Sequence, residues 1–350
     1  MMILFSVYLY SMIGIIIEKF SLKNIRELKI FNKIYLISLL FILTIITGTR
    51  KETGGTDYIA YKIFYNYNIG ENPWGYDILF VNLKNIFKFL KFDYDIFLLG
   101  ISVISHMFIY LLLKKLSKFP LIVTYLFISN NYFWQNFTIL RSSLSIYMFW
   151  YFIEFLRENK KIKAILFWVL SCGFHKGAIP LISLFFILNI KIKKIRFYIV
   201  GIFLAAIISR YLPKILLNIK FDIISRYLTE AENPILFGFL LLIFEKILIF
   251  IYILFYIKEF NSKKYSIYYN LAFLDTVILI LMCRTPSFTR YSHYFLIGSY
   301  VMIAEILGNK WRKQLKYRIM NIGIIIYFLL KFINIINSEL YSNYKSWLFF

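Results

Sequence analysis

The sequence predicts an all-α, polytopic membrane bundle of about twelve transmembrane helices, and three observations carry that prediction. Of the 350 residues, 60% are hydrophobic and 21% aromatic, at a mean hydropathy of +0.69. That is the composition of helices that face lipid rather than water. Apolar runs of about 15 to 22 residues recur along the chain, each long enough to cross a bilayer core at about 1.5 Å per residue. Lys and Arg clusters separate many of them, and the alternation of a β-barrel is absent.

The net charge of +23 is informative through position rather than sum. Basic residues concentrate in loops 18–33, 114–118, 157–163, 191–196, 258–264 and 310–318, which hold more than half of the 41 Lys and Arg. The positive-inside rule puts these loops in the cytoplasm and both termini outside, so the charge is a topology signal and not a nucleic-acid footprint.

In chain order, spans follow near 2–17, 34–47, 96–113, 119–140, 142–156, 164–175, 177–190, 197–212, 235–256, 267–283, 291–308 and 319–336, each an apolar run between polar stretches. The first begins without a basic region and ends at Glu18-Lys19 with no small-residue cleavage site, so it reads as a retained span. Those on either side of His175 are short for a bilayer, as broken or tilted helices beside a cavity are. No soluble domain fits between spans, and 1–350 reads as a single integral membrane domain. In the long outer loop 47–95, Asp77, Lys84, Lys88 and Lys91 fall on one helical stripe among apolar residues, the pattern of an interfacial helix. Cys172 and Cys283 show no metal-ligand spacing and read as core residues rather than a disulfide.

The polar candidates lie on the outer side. The segment from Arg50 to Tyr61 gathers charged, Gly and Tyr residues straight after an apolar helix. Against the positive-inside trend, Arg50, Arg141, Lys176, Arg210, Arg226, Arg284 and Arg290 are cations at outer span ends. Arg141 stands between Leu140 and Ser142 with no polar loop around it, which is costly unless it snorkels or meets an anion. Arg suits a phosphate, because its planar fork makes charge-assisted, bidentate bonds. His175 is the side chain best suited to proton transfer near neutral pH, with Lys176 favouring its neutral form. Asp57 is the other candidate base, or caps the helix that follows it. His106, mid-span, and His293 read as structural. Asp93-Tyr-Asp95 has the spacing of a metal-binding carboxylate pair but lies at a span start.

Four motifs in this order resemble the EpsG family of Wzy-like exopolysaccharide and O-antigen polymerases: Arg50 with Gly55 to Tyr58 and Tyr61; Leu140-Arg141 opening a span; Phe174-His175 followed by Ala178; and Arg290-Tyr291 to Tyr294-Phe295. Gly75-Tyr76 before the interfacial helix also matches. Two places depart from the pattern, the charged Lys51-Glu52 and Gly177, where a small hydroxyl residue is expected.

The resemblance implies a capsule- or exopolysaccharide-type polymerase in the cytoplasmic membrane, joining repeat units on undecaprenyl diphosphate at the outer face. It implies a bundle like those of the GT-C membrane glycosyltransferases. His175 or Asp57 would deprotonate the acceptor hydroxyl, and Arg141 would stabilise the departing diphosphate. Arg50, Thr56, Tyr58, Tyr61, Lys176, Arg284, Arg290, Tyr291 and Tyr294 would bind substrate. No cofactor and no metal are expected. The partners implied are the lipid-linked oligosaccharide, the bilayer, a flippase and a chain-length regulator, with no nucleic acid. A lipid-linked oligosaccharide flippase and an O-antigen-ligase-type transferase are the alternatives. A multispan acyltransferase would need His175 and Arg141 on the cytoplasmic side.

Overall fold

The computed structural model describes residues 2–21, 26–188, 195–218, 236–256, 263–309 and 315–348. Its helices gather in two compact units, Met1–Pro180 with Ala304–Phe350, and Leu181–Ile303. Among the described residues four helices are long and apolar enough to cross a membrane, Lys29–Gly48, Tyr94–Leu116, Gly238–Phe255 and Tyr317–Ile336, and several apolar helices are shorter. The class is all-α as expected, and these helices by themselves do not establish the expected count of about twelve spans.

In the first unit α1 (Met2–Ser21) and α2 (Arg26–Gly48) pack on each other, α2 lies along α5 (Tyr94–Leu116), and α1 lies along α6 (Pro120–Asn130). Between α2 and α5 come the short helices α3 (Thr56–Asn66) and α4 (Ile78–Phe89). Buried carboxylates close one end of this unit. Glu18 accepts the N–H groups of Leu121 (3.2 Å) and Ile122 (2.8 Å), satisfying donors that the start of α6 leaves open. Glu305 accepts the Ser117 hydroxyl (3.0 Å) and the Lys118 N–H (3.2 Å).

At the centre, α7 (Leu140–Arg157) is buried almost all round and packs along α8 (Lys161–Phe174). Where they cross, each of Ser145 and Ser171 donates its hydroxyl to the other's carbonyl oxygen at 2.8 Å, the close approach that small residues permit between membrane helices. Arg141 is one turn before Ser145 and His175 one turn after Ser171. The serine crossing therefore brings these two residues to the same end of the bundle.

Three of the expected spans are not continuous helices. Run 119–140 breaks after Asn130 into the π-turn Trp134–Thr138, where the Ile139 N–H reaches back to the Trp134 carbonyl at 3.2 Å. Consecutive Asn130 and Asn131, whose side chains compete for backbone groups, end α6. Run 177–190 starts as the 3-10 turn Lys176–Ser183, because Pro180 lacks the N–H that an α-helix needs there, and continues only as the single turn α9 (Leu184–Ile187). The span expected at 291–308 is likewise a 3-10 turn, Pro286–Tyr294, followed by a shorter helix, Leu296–Gly308.

Of the expected charged stripe, Asp77, Lys84 and Lys88 turn toward the protein, whereas Lys91 lies beyond α4 and is exposed. Lys84 is fully buried, and its Nζ donates to the carbonyls of Asn68 (3.0 Å) and Glu71 (2.9 Å) over the Phe64 ring. Lys88 donates to the Tyr67 carbonyl at 2.7 Å. Ile78, Ile86, Phe89 and Leu90 are exposed, Phe89 at 78%. An apolar face turned outward suits lipid, so α4 has the character of an interfacial helix with its charges used to fasten loop 66–76.

After the helix Leu315–Ile336, residues 345–346 return to residues 50–51. The strands β1 (Arg50–Lys51) and β2 (Lys345–Ser346) pair antiparallel, Arg50 opposite Ser346. The Trp347 N–H donates to the Thr49 carbonyl at 2.9 Å.

The second unit is built around the helix Lys263–Leu281, which packs against Ile195–Ser209, Leu236–Phe255 and the turn Pro286–Tyr294. Inside it Lys246 donates to Asp275 at 2.6 Å, with both side chains buried. Arg226 lies outside the described residues, as do 191–194, 258–262 and 310–314 of the basic loops.

Candidate functional site

Asp77 organises the site. It occupies the position before α4 with extended backbone (φ −74°, ψ 149°) that a capping residue adopts, yet its carboxylate makes no capping bond to that helix. Oδ2 instead accepts Arg141 Nη1 at 2.9 Å, and Oδ1 accepts the Lys176 N–H at 3.0 Å. His175 Nδ1 lies 3.6 Å from Oδ2. One buried carboxylate thus joins the start of α4, the start of α7 and the junction after α8. Burial alone would raise the Asp77 pKa; the His175 contact, the Arg141 charge and the Lys176 N–H outweigh it and hold the carboxyl below its ordinary value.

The groups around that carboxylate differ in exposure. The His175 side chain is 32% exposed and that of Arg141 22%, against 4% for Asp77. The Arg141 guanidinium lies 4.5 Å above the Tyr76 ring, a cation–π contact that leaves the planar fork in one orientation. Tyr61 is buried beside it, its ring 6.1 Å from that of Tyr76. Burial pushes the Tyr61 hydroxyl upward in pKa, and the Arg141 charge pulls it back. The Lys176 side chain is exposed.

Arg50 is placed differently. It is 1% exposed, donates to the carbonyls of Thr47 and Phe137, the latter at 3.1 Å, and lies over the Phe137 ring. Gly54 presses on the same carbonyl: a Cβ there would stand 2.3 Å from the Phe137 oxygen, at φ +115°. Arg50 and the Gly-Gly turn therefore seat the loop on the π-turn that leads into Arg141. Tyr58 is buried edge-on to Tyr94. Thr56 and Asp57 open α3, one turn before Tyr61.

His106 is held inside α5, Nδ1 donating to the Ser102 carbonyl at 2.8 Å and Nε2 lying 2.7 Å from the Tyr132 hydroxyl, the structural role expected of it. Arg284, Arg290, Tyr291 and Tyr294 belong to the second unit, on and just before the turn Pro286–Tyr294. There both arginines are exposed and Tyr294 is buried. Among the described residues no three His, Cys, Asp or Glu side chains stand close enough to hold a metal ion, and both cysteines are free thiols.

Asp77 is the member that sequence reasoning passed over as a site residue, whereas Tyr76 is already marked by the Gly75-Tyr76 match. Asp77 reads as one charge in a helical stripe, and the signal that sets it apart is its place directly after Gly75-Tyr76 at the helix start.

A model of the EpsG family matches residues 33–346. The chain belongs to the EpsG family. No curated protein and no solved structure matches it. Membership agrees with a membrane protein of exopolysaccharide-related biosynthesis. Of the four EpsG motifs, those at Arg50–Tyr61, Arg141 and His175 meet at one end of the first unit. The motif at Arg290–Tyr294 forms the 3-10 turn of the second.

Proposed function

We propose that this EpsG-family chain is a glycosyltransferase of the polymerase kind, joining oligosaccharide repeat units carried on polyprenyl diphosphate at the outer face of the cytoplasmic membrane. The observation that carries the reading is the meeting of Arg141 and His175 at one half-open point, 2.9 Å and 3.6 Å from the same carboxylate.

A cation with a planar fork and a partly exposed imidazole are the two groups the chemistry needs. The acceptor hydroxyl oxygen attacks the anomeric carbon of the donor sugar and the bond from that carbon to the diphosphate oxygen breaks. The electron pair leaves with the polyprenyl diphosphate. Arg141 and Lys176 stabilise the charge that develops there, and the hydroxyl proton passes to His175. The exposed apolar face of α4 lies in the bilayer interface, where the polyprenyl tail enters. Asp57, Arg284, Arg290, Tyr291 and Tyr294 are assigned to sugar and diphosphate binding, and Arg50, Thr56 and Tyr58 to shaping loop 50–61.

The test is polymer formation by purified protein given a synthetic polyprenyl-diphosphate repeat unit, with and without EDTA. A ladder that persists in EDTA and falls to a small residual rate in Arg141→Ala and His175→Ala supports the reading. Lipid-linked substrate crossing vesicles with no ladder overturns it in favour of a flippase, and transfer of a single unit without extension favours a ligase.

A further inference from the structure

We propose that Asp77 is the positioning residue of this site, fixing both which nitrogen of His175 is free to take a proton and where the Arg141 fork stands. The inference rests on the polymerase reading for its kinetic consequence, but not for its geometric one.

The buried side of the imidazole carries Nδ1, which makes no hydrogen bond and lies 3.6 Å from Asp77 Oδ2, just beyond hydrogen-bond length. An ionised carboxylate only accepts, so it favours the tautomer with the proton on Nδ1 and leaves Nε2 as the basic nitrogen. When Nε2 takes a proton, the same carboxylate faces the imidazolium and stabilises it, the service an aspartate renders in Ser-His-Asp triads. Asp77 is itself a poor base, because Arg141 and the Lys176 N–H already occupy its oxygens and hold it ionised. It uses one Arg141 nitrogen and leaves the rest of the fork for other partners, while Tyr76 prevents the guanidinium from turning. The base and the diphosphate clamp are thereby set beside one and the same carboxylate oxygen, Oδ2. Three further observations favour a device over an ordinary cap: the carboxylate forgoes its own helix, it links three segments distant in sequence, and the Ser145–Ser171 crossing holds two of those segments from behind.

Two measurements test this. ¹⁵N NMR of histidine-labelled protein reads the tautomer of His175 without any assay of activity. The wild type is expected to show the neutral ring protonated on Nδ1, and Asp77→Asn to show a shift toward Nε2–H; identical tautomer populations in the two overturn the proposal. The second is a double-mutant cycle on polymer formation. Asp77→Asn is expected to lower kcat about 100-fold with KM changed less than about threefold, by analogy with the tautomer effect in triads. In a His175→Ala background the same substitution is expected to lower the residual rate less than about fivefold more. Equal losses in both backgrounds would mean that Asp77 does not act through His175. Should Asp77→Asn fail to yield monodisperse protein, both measurements are made with Asp77→Glu, which keeps the charge but displaces it. The spectrum should then retain Nδ1–H while kcat falls, and a changed tautomer or an unchanged kcat overturns the proposal. Absence of a wild-type ladder with the expected tautomer shift removes the polymerase reading and leaves the positioning role standing.

Discussion

Arg50 Nη2 donates to the carbonyl oxygen of Phe137 at 3.1 Å, and the two residues are 87 apart in sequence. The bond ties the loop that follows α2 to the π-turn that precedes Arg141. A cation expected to meet substrate is thus enclosed by the protein. Arg50→Ala leaves two buried carbonyls without their donor and removes the stacking on Phe137. We expect a loss of about 3 kcal/mol, measured as a lower melting midpoint in detergent. An unchanged midpoint would show that the loop is held by other means.

Gly54 makes the same junction sensitive to a single methyl. Its φ of +115° is open to glycine and rarely to other residues, and an added Cβ collides with the Phe137 carbonyl. Gly54→Ala is expected to cost about 2 kcal/mol or more and to lower polymer formation. Gly323→Ala, in open space within the helix Leu315–Ile336, is expected to be neutral or slightly stabilising. Thermal melting of the two variants side by side checks the contrast.

Acid should release the Asp77 junction late. A carboxyl whose native pKa lies below its unfolded value contributes stability at all pH above the unfolded value, and loses it as pH falls through the native one. Asp77 is of this kind. Its own contribution should decline only below about pH 4. Melting curves of wild type and Asp77→Asn should therefore converge as pH falls below that value. A gap between them that widens below about pH 4 would contradict the sign.

In the second unit, Lys246 and Asp275 meet at 2.6 Å inside packed helices. Lys246→Met takes away the ammonium and leaves the carboxylate buried, which typically costs about 3 to 5 kcal/mol. Adding Asp275→Leu should recover most of that loss, because the paired charges contribute little beyond each other's neutralisation. Yield of folded protein and melting midpoint distinguish the single from the double variant, and a double variant no better than the single would contradict this account.

The helices, α4 within loop 47–95 and the candidacy of Arg141 and His175 are legible in the sequence, since hydropathy and short motifs report on single segments. What is not legible depends on direction. The period of α4 puts Asp77, Lys84 and Lys88 on one face, but periodicity is silent on whether that face meets water or protein, and here loop 66–76 covers it. Arg50 and Arg141 look alike as cations at span ends. They differ because a carbonyl from the π-turn encloses one while a carboxylate from another helix holds the other half open. The broken spans at Asn130–Asn131 and Pro180 carry visible breaker residues, which the overall apolarity of runs 119–140 and 177–190 hides.

The pairing of β1 with β2 has a consequence for biogenesis. Residues 50–51 leave the ribosome well before their partners at 345–346, which come only after the helices between them. The loop that carries the Arg50 motif therefore acquires its second strand late. A nascent chain or a fragment ending before residue 345 has this wall of the site unfinished, so the site is completed only once residues 345–346 are made and not by the helices alone.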